Sequence, residues 1–270
     1  MNTTPSDFLS RIADDRRRRV ETMKLATPAH VLRQRLAAPR PAGRLERALR
    51  RPTPADSLRM VCEIKRASPS RGVLRAEIDA RALATLYERG GATAISIVTE
   101  PDHFRGEIAW IDAVRPLVSL PVLLKDFVID SYQILDAAVR GADAVLLLAA
   151  LLSETQLQRL IADARLLGLD CLVEVHELSE LRIAVRAGAT LIGINNRDLR
   201  TFEVRLETSI ELLPHVPPLV TAVSESGLST PADLGRLRST RCDAVLIGEA
   251  FMTSADPAVT LATLAAAARG

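Results

Sequence analysis

Glu63 and Lys65 stand two positions apart in VCEIKRASPSRG, residues 61–72. Side chains alternate along an extended chain, so this carboxylate and ammonium would share one face. Such a pair can hold an anion and pass a proton. Similar residues close other apolar runs: Lys125 ends PVLLK, Glu174 lies in DCLVEV, Asn195 and Arg197 follow TLIGI, and Glu225 and Ser226 follow LVTAVS. Two lysines, an arginine and three carboxylates brought together would suit an anionic substrate whose reaction needs proton transfers. Any one of these residues could simply be a solvated strand end. Five strands ending in Lys, Glu, Asn or Arg fit that explanation less well, because buried charges must be paired or used.

The elements that must position these groups follow from a repeating pattern. From Met60 onward, eight short runs rich in Val, Ile and Leu alternate with helical segments: MVCEI, TAISIV, PVLLK, DAVLLL, DCLVEV, TLIGIN, LVTAVS and DAVLIG. Helical patterns between them include IDARALATLYERGG, SETQLQRLIADARLLG with a capping box at Ser153 and Gln156, and STPADLGRLRS. Lys125, Leu148, Glu174, Asn195, Glu225 and Gly248 are 21 to 30 residues apart, room for one strand and one helix per unit. Parallel strands need such crossovers, and eight units can close into a (β/α)8 TIM barrel without exposed edges. An open doubly wound sheet is the competing architecture. No GxGxxG joins the first strand to its helix, which weakens the dinucleotide-binding form of that fold. In a barrel the loops after the strands meet at one mouth, and the charged residues above fall there. SESG and GEAFM, after the last two runs, offer flexible backbone and a short helix for a phosphate, with further donors from Ser68, Ser70 and Gly72.

Composition is consistent with this picture. The 270 residues are 48% apolar, and 35 basic against 33 acidic residues leave a net charge of +2. The expectation is a single barrel domain over 1–270, with 1–58 as an N-terminal helical extension. Nothing global calls for nucleic acid or a membrane as partner. The longest wholly apolar run, Ala144–Leu152, is far too short for a span, and no secretory signal opens MNTTPSDFLS. Cys62, Cys171 and Cys242 show no CxxC pairing and read as small core residues in a reducing compartment, which points to a cytoplasmic protein. A monomer or weak homodimer is expected.

Within the extension, SDFLSRIADDRRRRVETMK predicts a helix capped by Ser6 or Asp7, and PAHVLRQRL a second with Pro28 in its first turn. Asp14 and Asp15 precede the run Arg16 to Arg19 and no aromatics interleave it, so it reads as a solvated helix face. PRPAGRLERALRRPTP reads as a connector.

EIKRASPSRG, IVTEPDHFRGE, PVLLKDFVIDSYQI, GADAVLLLAALL, LVEVHELSEL, IGINNRDLRTFEV, SESG and AVLIGEAFM, in this order, resemble the indole-3-glycerol phosphate synthase family of tryptophan biosynthesis, from about residue 5 to residue 255. The resemblance implies a carboxy-lyase that converts 1-(2-carboxyphenylamino)-1-deoxyribulose 5-phosphate to indole-3-glycerol phosphate, releasing carbon dioxide and water, with no cofactor and no metal. It assigns Lys125 as general acid and Lys65 to the substrate carboxylate, with a part in the later dehydration. Glu63 and Glu174 become the carboxylates for proton removal, with the division of steps between them left open. Asn195 and Arg197 would hold polar groups of the substrate, and Glu225 would support the lysines. Phe104 and Phe127 would hold the ring, and Ser68, Ser226, Gly227 and Gly248 would serve the phosphate.

Three positions depart from the family pattern, one of them Leu124, which replaces the basic residue many relatives carry before the lysine and should face the helices. His103 stands where many members have an aromatic ring, and Glu249 stands where some have Ser. A carboxylate at 249 would repel phosphate unless it points away. The rival readings are a Schiff-base aldolase using Lys125 or Lys65 as nucleophile and a barrel that only binds a phosphosugar.

Overall fold

The structure, a computed structural model, describes residues 5–37 and 41–270. Eight parallel strands close into a barrel: β1 Arg59–Ile64, β2 Ala94–Val98, β3 Val122–Lys125, β4 Ala144–Leu148, β5 Asp170–Val175, β6 Leu191–Asn195, β7 Thr221–Glu225 and β8 Ala244–Ile247. Each lies within two residues of its expected run. A two-stranded hairpin, Ala67–Ser68 with Gly72–Val73, follows β1.

Between strands run helices α4 Ala80–Arg89, α5 Ala109–Val114, α6 Ser131–Val139, α7 Glu154–Leu166, α8 Leu178–Arg186, α9 Glu207–Leu212 and α10 Pro231–Arg238. The short α11, Glu249–Met252, and α12, Pro257–Arg269, follow β8. The expected capping box opens α7: Ser153 N–H donates to Gln156 Oε1 at 2.9 Å, and Gln156 N–H to Ser153 Oγ at 3.3 Å. Among the described residues, no helix is long and apolar enough to cross a membrane. The three cysteines are free and buried.

Strand alternation splits the core in two. Outward residues such as Cys62, Val122, Leu124, Val173 and Ile192 pack under the helices. Inward residues including Val61, Leu123, Leu146, Leu172, Val223 and Leu246 fill the cylinder. The charged residues of the strands continue this inward series one step toward the mouth: Glu63 after Val61, Lys125 after Leu123, Glu174 after Leu172, Glu225 after Val223. They are therefore aimed by the same pleat that buries the core.

The extension holds α1 Pro5–Ala26, α2 Ala29–Arg35 and α3 Arg44–Leu49. Pro28 sits just before α2 rather than in its first turn. The caps expected at Ser6 and Asp7 lie outside the described side chains. The connector reading fails within 39–54, part of which is α3: Leu45 and Leu49 are fully buried and join the inner core. Aspartates at the amino ends of the strands hold this segment there. Asp170 accepts from Leu45 N–H at 2.8 Å and Glu46 N–H at 3.0 Å, while Asp143 pairs with Arg44 at 2.6 Å. The helix closes the end of the barrel opposite the mouth.

The basic run on α1 also departs from expectation. Arg17 and Arg18 do face solvent, paired with Asp14 and Asp15. Arg16 does not: it is 4% exposed and pairs at 2.9 Å with buried Asp126, the residue after Lys125. Asp126 also accepts from Thr99 Oγ1 at 2.8 Å and Phe127 N–H at 2.7 Å. A helix face can be polar by composition and still be buried when one of its charges meets a partner in the barrel. Replacing Arg16 by Ala should strand the Asp126 charge and cost about 3–5 kcal/mol in denaturant unfolding, against under about 0.5 kcal/mol for Arg17→Ala. Equal costs for the two would show that Arg16 is not a buried anchor.

Candidate active site

At the mouth, four strands deliver charge to one point. Lys125 Nζ lies 2.7 Å from Glu225 Oε2, 3.4 Å from Glu174 Oε2 and 3.9 Å from Glu63 Oε2. Lys65 Nζ lies 2.8 Å from the other oxygen of Glu63. Ser96, paired with Glu63 across β1 and β2, donates to Glu63 Oε2 at 3.1 Å. Asn195, paired with Glu225 across β6 and β7, donates through Nδ2 to Glu174 Oε1 at 2.9 Å and accepts from Arg197 N–H at 2.9 Å.

Two glycines leave room for this cluster. A Cβ at Gly193 would collide with Glu225 Oε1, and a Cβ at Gly248 would come within 2.7 Å of Glu63 Oε1. Gly193 gives no hint of this role in the sequence, where it sits as one small residue inside an apolar run.

The electrostatics follow from burial and arrangement. Burial would push the Lys125 ammonium down, but Glu225, Glu174 and Glu63 together hold it well above the ordinary lysine value. Burial also opposes ionisation of Glu63 and Glu174, yet each stays below the usual carboxylate range. Lys65 and Lys125 act on Glu63, and Lys125 and His176 on Glu174. Glu225 behaves differently. Burial, reinforced by Glu174 and Glu63, outweighs its pairing with Lys125 and pushes it up to about 7. Its second oxygen, Oε1, is buried without a hydrogen-bond partner. Three buried carboxylates crowd this point, and a proton on Glu225 relieves the repulsion from Glu174 and Glu63.

A cavity of about 420 Å³ opens above the cluster, a size suited to a small ligand. Lys65, Lys125, Glu63, Glu174 and Asn195 line its floor, while Glu225 lies beneath, behind Lys125. Phe104 and Phe127 form one wall, ring centroids 6.0 Å apart and tilted by 48°. Phe127 is buried and serves the inner core and the cavity at once. Glu100 shapes the loop carrying Phe104, accepting from the backbone N–H groups of Asp102, His103 and Phe104 at 3.0, 2.8 and 2.9 Å. His103 faces Asp15 on α1 at 3.5 Å, so the extension packs on this wall too.

Across the cavity lie Ser68, Arg197, Ser226, Gly227 and Gly248. Ser68 Oγ is buried without a hydrogen-bond partner. Ser226 and Gly227 both adopt left-handed backbone, φ 66° and 71°. That is unfavourable for Ser226, and Asn196 holds it by donating to Ser226 O at 3.0 Å and to Ser224 Oγ at 3.1 Å. This neighbour of Asn195 was not singled out in the sequence, although INNRD places it at the same strand end.

His176 was also missed. It stands two residues after Glu174, and its ring lies 3.5 Å from Glu174 Oε1 through Nε2 and 3.3 Å from Glu180 Oε2 through Nδ1. Burial opposes its charge, but the Glu180 hydrogen bond and Glu174 raise it above the ordinary histidine value. The alternation in VEVHEL was the available signal.

The chain is similar to known proteins over most of its length. A family model described as indole-3-glycerol phosphate synthase matches residues 9–264. The chain is 45% identical to indole-3-glycerol phosphate synthase of Chloroherpeton thalassium over 253 residues, covering 92% of this chain and 95% of the relative. It is 42% identical to the enzyme of that name from Carboxydothermus hydrogenoformans, covering 96% and 100%. Among solved structures, 3-hexulose-6-phosphate synthase from Salmonella typhimurium superimposes with a TM-score of 0.64 at 17% identity, over 78% of this chain and 98% of that one, a likeness of fold alone.

The raised Glu225 has a direct spectroscopic consequence. Infrared difference spectra should show a buried carboxylic acid C=O band that disappears with a midpoint near pH 7 and is missing in Glu225→Gln. Between the ordinary carboxylate value and that midpoint the folded state keeps a proton that the unfolded state gives up. The contribution of Glu225 to stability therefore falls as pH rises through this window. An unchanged band in Glu225→Gln would contradict the assignment.

Proposed function

The chain belongs to the indole-3-glycerol phosphate synthase family, and from that premise we propose how its residues divide the work. The reaction closes the pyrrole ring of 1-(2-carboxyphenylamino)-1-deoxyribulose 5-phosphate, with loss of carbon dioxide and water, in tryptophan biosynthesis. In the first stage the ring carbon bearing the carboxylate attacks the ketone carbon, forming the new C–C bond. The ketone oxygen takes a proton from Lys125. The developing alkoxide is more basic than an amine, so the proton moves even from an ammonium paired with carboxylates. Loss of the carboxylate as carbon dioxide leaves its bonding pair to restore the aromatic ring. In the second stage the new hydroxyl leaves as water while a proton leaves the adjacent carbon that bears nitrogen.

Two acid–base pairs suit two stages. Lys125 with Glu174 and Glu225 forms one, and Lys65 with Glu63 at 2.8 Å the other. Lys125 protonates the ketone in ring closure. Lys65 first receives the substrate carboxylate, then supplies the proton for departing water while Glu63 accepts the ring proton. Asn195 and His176 position Glu174, and Asn195 fixes the backbone of Arg197. Phe104 and Phe127 press the aromatic ring against the ketone, a gain in proximity rather than in chemistry. Ser68, Ser226, Gly227 and Gly248 receive the phosphate. The observation that carries this reading is Lys125 Nζ held among three carboxylates on the floor of the cavity.

Every group in the site comes from one barrel, which fits one domain working as a monomer or weak homodimer. Three free, buried cysteines fit a cytoplasmic setting. The test is an indole-fluorescence assay on the carboxyphenylamino substrate without added metal. Lys125→Ala should lower kcat by about 10²- to 10⁴-fold, while substrate affinity changes far less. Equal losses in affinity and kcat would show that Lys125 only binds.

A further inference from the structure

The loops after β1, β6 and β8 meet at one carboxylate. Glu249 Oε1 lies 3.0 Å from Arg71 Nε, and Glu249 Oε2 lies 3.1 Å from Arg197 Nη2. Arg197 Nη1 donates to Ser70 Oγ at 2.8 Å, so this guanidinium ties the β6 loop to both neighbours. Glu249, Arg71 and Arg197 line the same cavity as Lys125, on the side of Ser226, Gly227 and Gly248. The Arg71 side chain is 67% exposed and that of Glu249 27%, so both can swing without unpacking the core.

A carboxylate has only acceptors and would repel a phosphate beside it. Two guanidinium groups about one small anion are what a phosphate dianion prefers, because each can donate two parallel N–H bonds. We infer that Arg71 and Arg197 form a seat for the substrate's phosphate and that Glu249 fills this seat in the free protein, so the phosphate enters by displacing an internal carboxylate. The inference rests on the proposed function and adds to it a residue that sets phosphate affinity. In the empty site Glu249 keeps three loops together and the two arginines neutralised. On binding, the dianion takes both guanidinium groups and the carboxylate turns toward solvent. On release the carboxylate returns, which limits how tightly a phosphorylated product is retained.

The test is calorimetric titration of inorganic phosphate into the full chain, comparing wild type, Glu249→Gln, and Glu249→Gln combined with Arg71→Ala. Thermal unfolding checks that each variant is folded. Gln keeps the shape of Glu and removes its charge. Phosphate should bind Glu249→Gln about 3- to 10-fold more tightly than wild type, the modest gain expected from freeing partly exposed ion pairs. KM should fall by a similar factor without a matching rise in kcat, and the gain in phosphate binding should vanish in the double variant. Equal or weaker phosphate binding in Glu249→Gln would overturn the inference, because Glu249 would then be organising the arginines for the ligand. A gain that survives Arg71→Ala would overturn the seat as described. If wild type converts the carboxyphenylamino substrate while phosphate binding ignores Glu249, this inference alone fails. Absence of turnover in wild type would sink the underlying functional reading.

Discussion

A lysine ammonium kept among three buried carboxylates is the constraint on which the rest of this barrel depends. An ammonium alone at that depth would shed its proton, and a carboxylate alone would take one up. Together they stay ionised, except that Glu225, buried beside two other carboxylates, is pushed up to about 7. The surrounding sequence makes space for the cluster and satisfies it. Gly193 and Gly248 withhold side chains where Glu225 and Glu63 must lie, Ser96 donates to the Glu63 oxygen that Lys125 approaches only to 3.9 Å, and Asn195 donates to the Glu174 oxygen that Lys125 leaves open. These demands fall on neighbouring strands of a closed sheet, so no single strand could be altered without disturbing the next.

The same cluster explains how the outer parts are tied to the centre. Asp126, directly after Lys125, takes the buried Arg16 of α1, and Asp130 at the start of α6 takes Lys24 at 2.9 Å. The helical extension is thereby fixed to the strand end that carries the proposed acid, while α3 closes the opposite end. One chain segment thus closes one end of the cylinder and braces the loops at the other, leaving the cavity between the strand-end loops as the way in.

Much of this was legible in the sequence, for a physical reason. Strands buried on both faces read as continuous apolar runs, and a charge that interrupts such a run must be paired or functional. Lys125, Glu174 and Glu225 were visible on that ground, and the barrel followed from eight runs at a regular pitch. What stayed hidden depended on contacts between distant segments. Leu45 and Leu49 look like the apolar residues of a proline-rich connector until Asp170 supplies partners for the first turn of α3. Arg16 is indistinguishable from Arg17 and Arg18 until Asp126 is brought beside it. Glu249 was noted as an acidic residue where phosphate is expected, but its direction is set by Arg71 and Arg197, far earlier in the chain. His176 shared a face with Glu174 in the strand pattern, and only the fold places Glu180 to hold its ring.

The central claim is that Lys125 remains an ammonium in the free protein, as a proton donor must and an amine nucleophile must not. Nitrogen NMR of isotope-labelled lysine side chains, with Lys125 assigned by its loss in Lys125→Ala, tests this directly. The account predicts that the Lys125 resonance stays within the ammonium range from about pH 5 to about pH 10, with at most a small displacement near pH 7 as Glu225 ionises beside it. A midpoint for deprotonation near neutrality would contradict it.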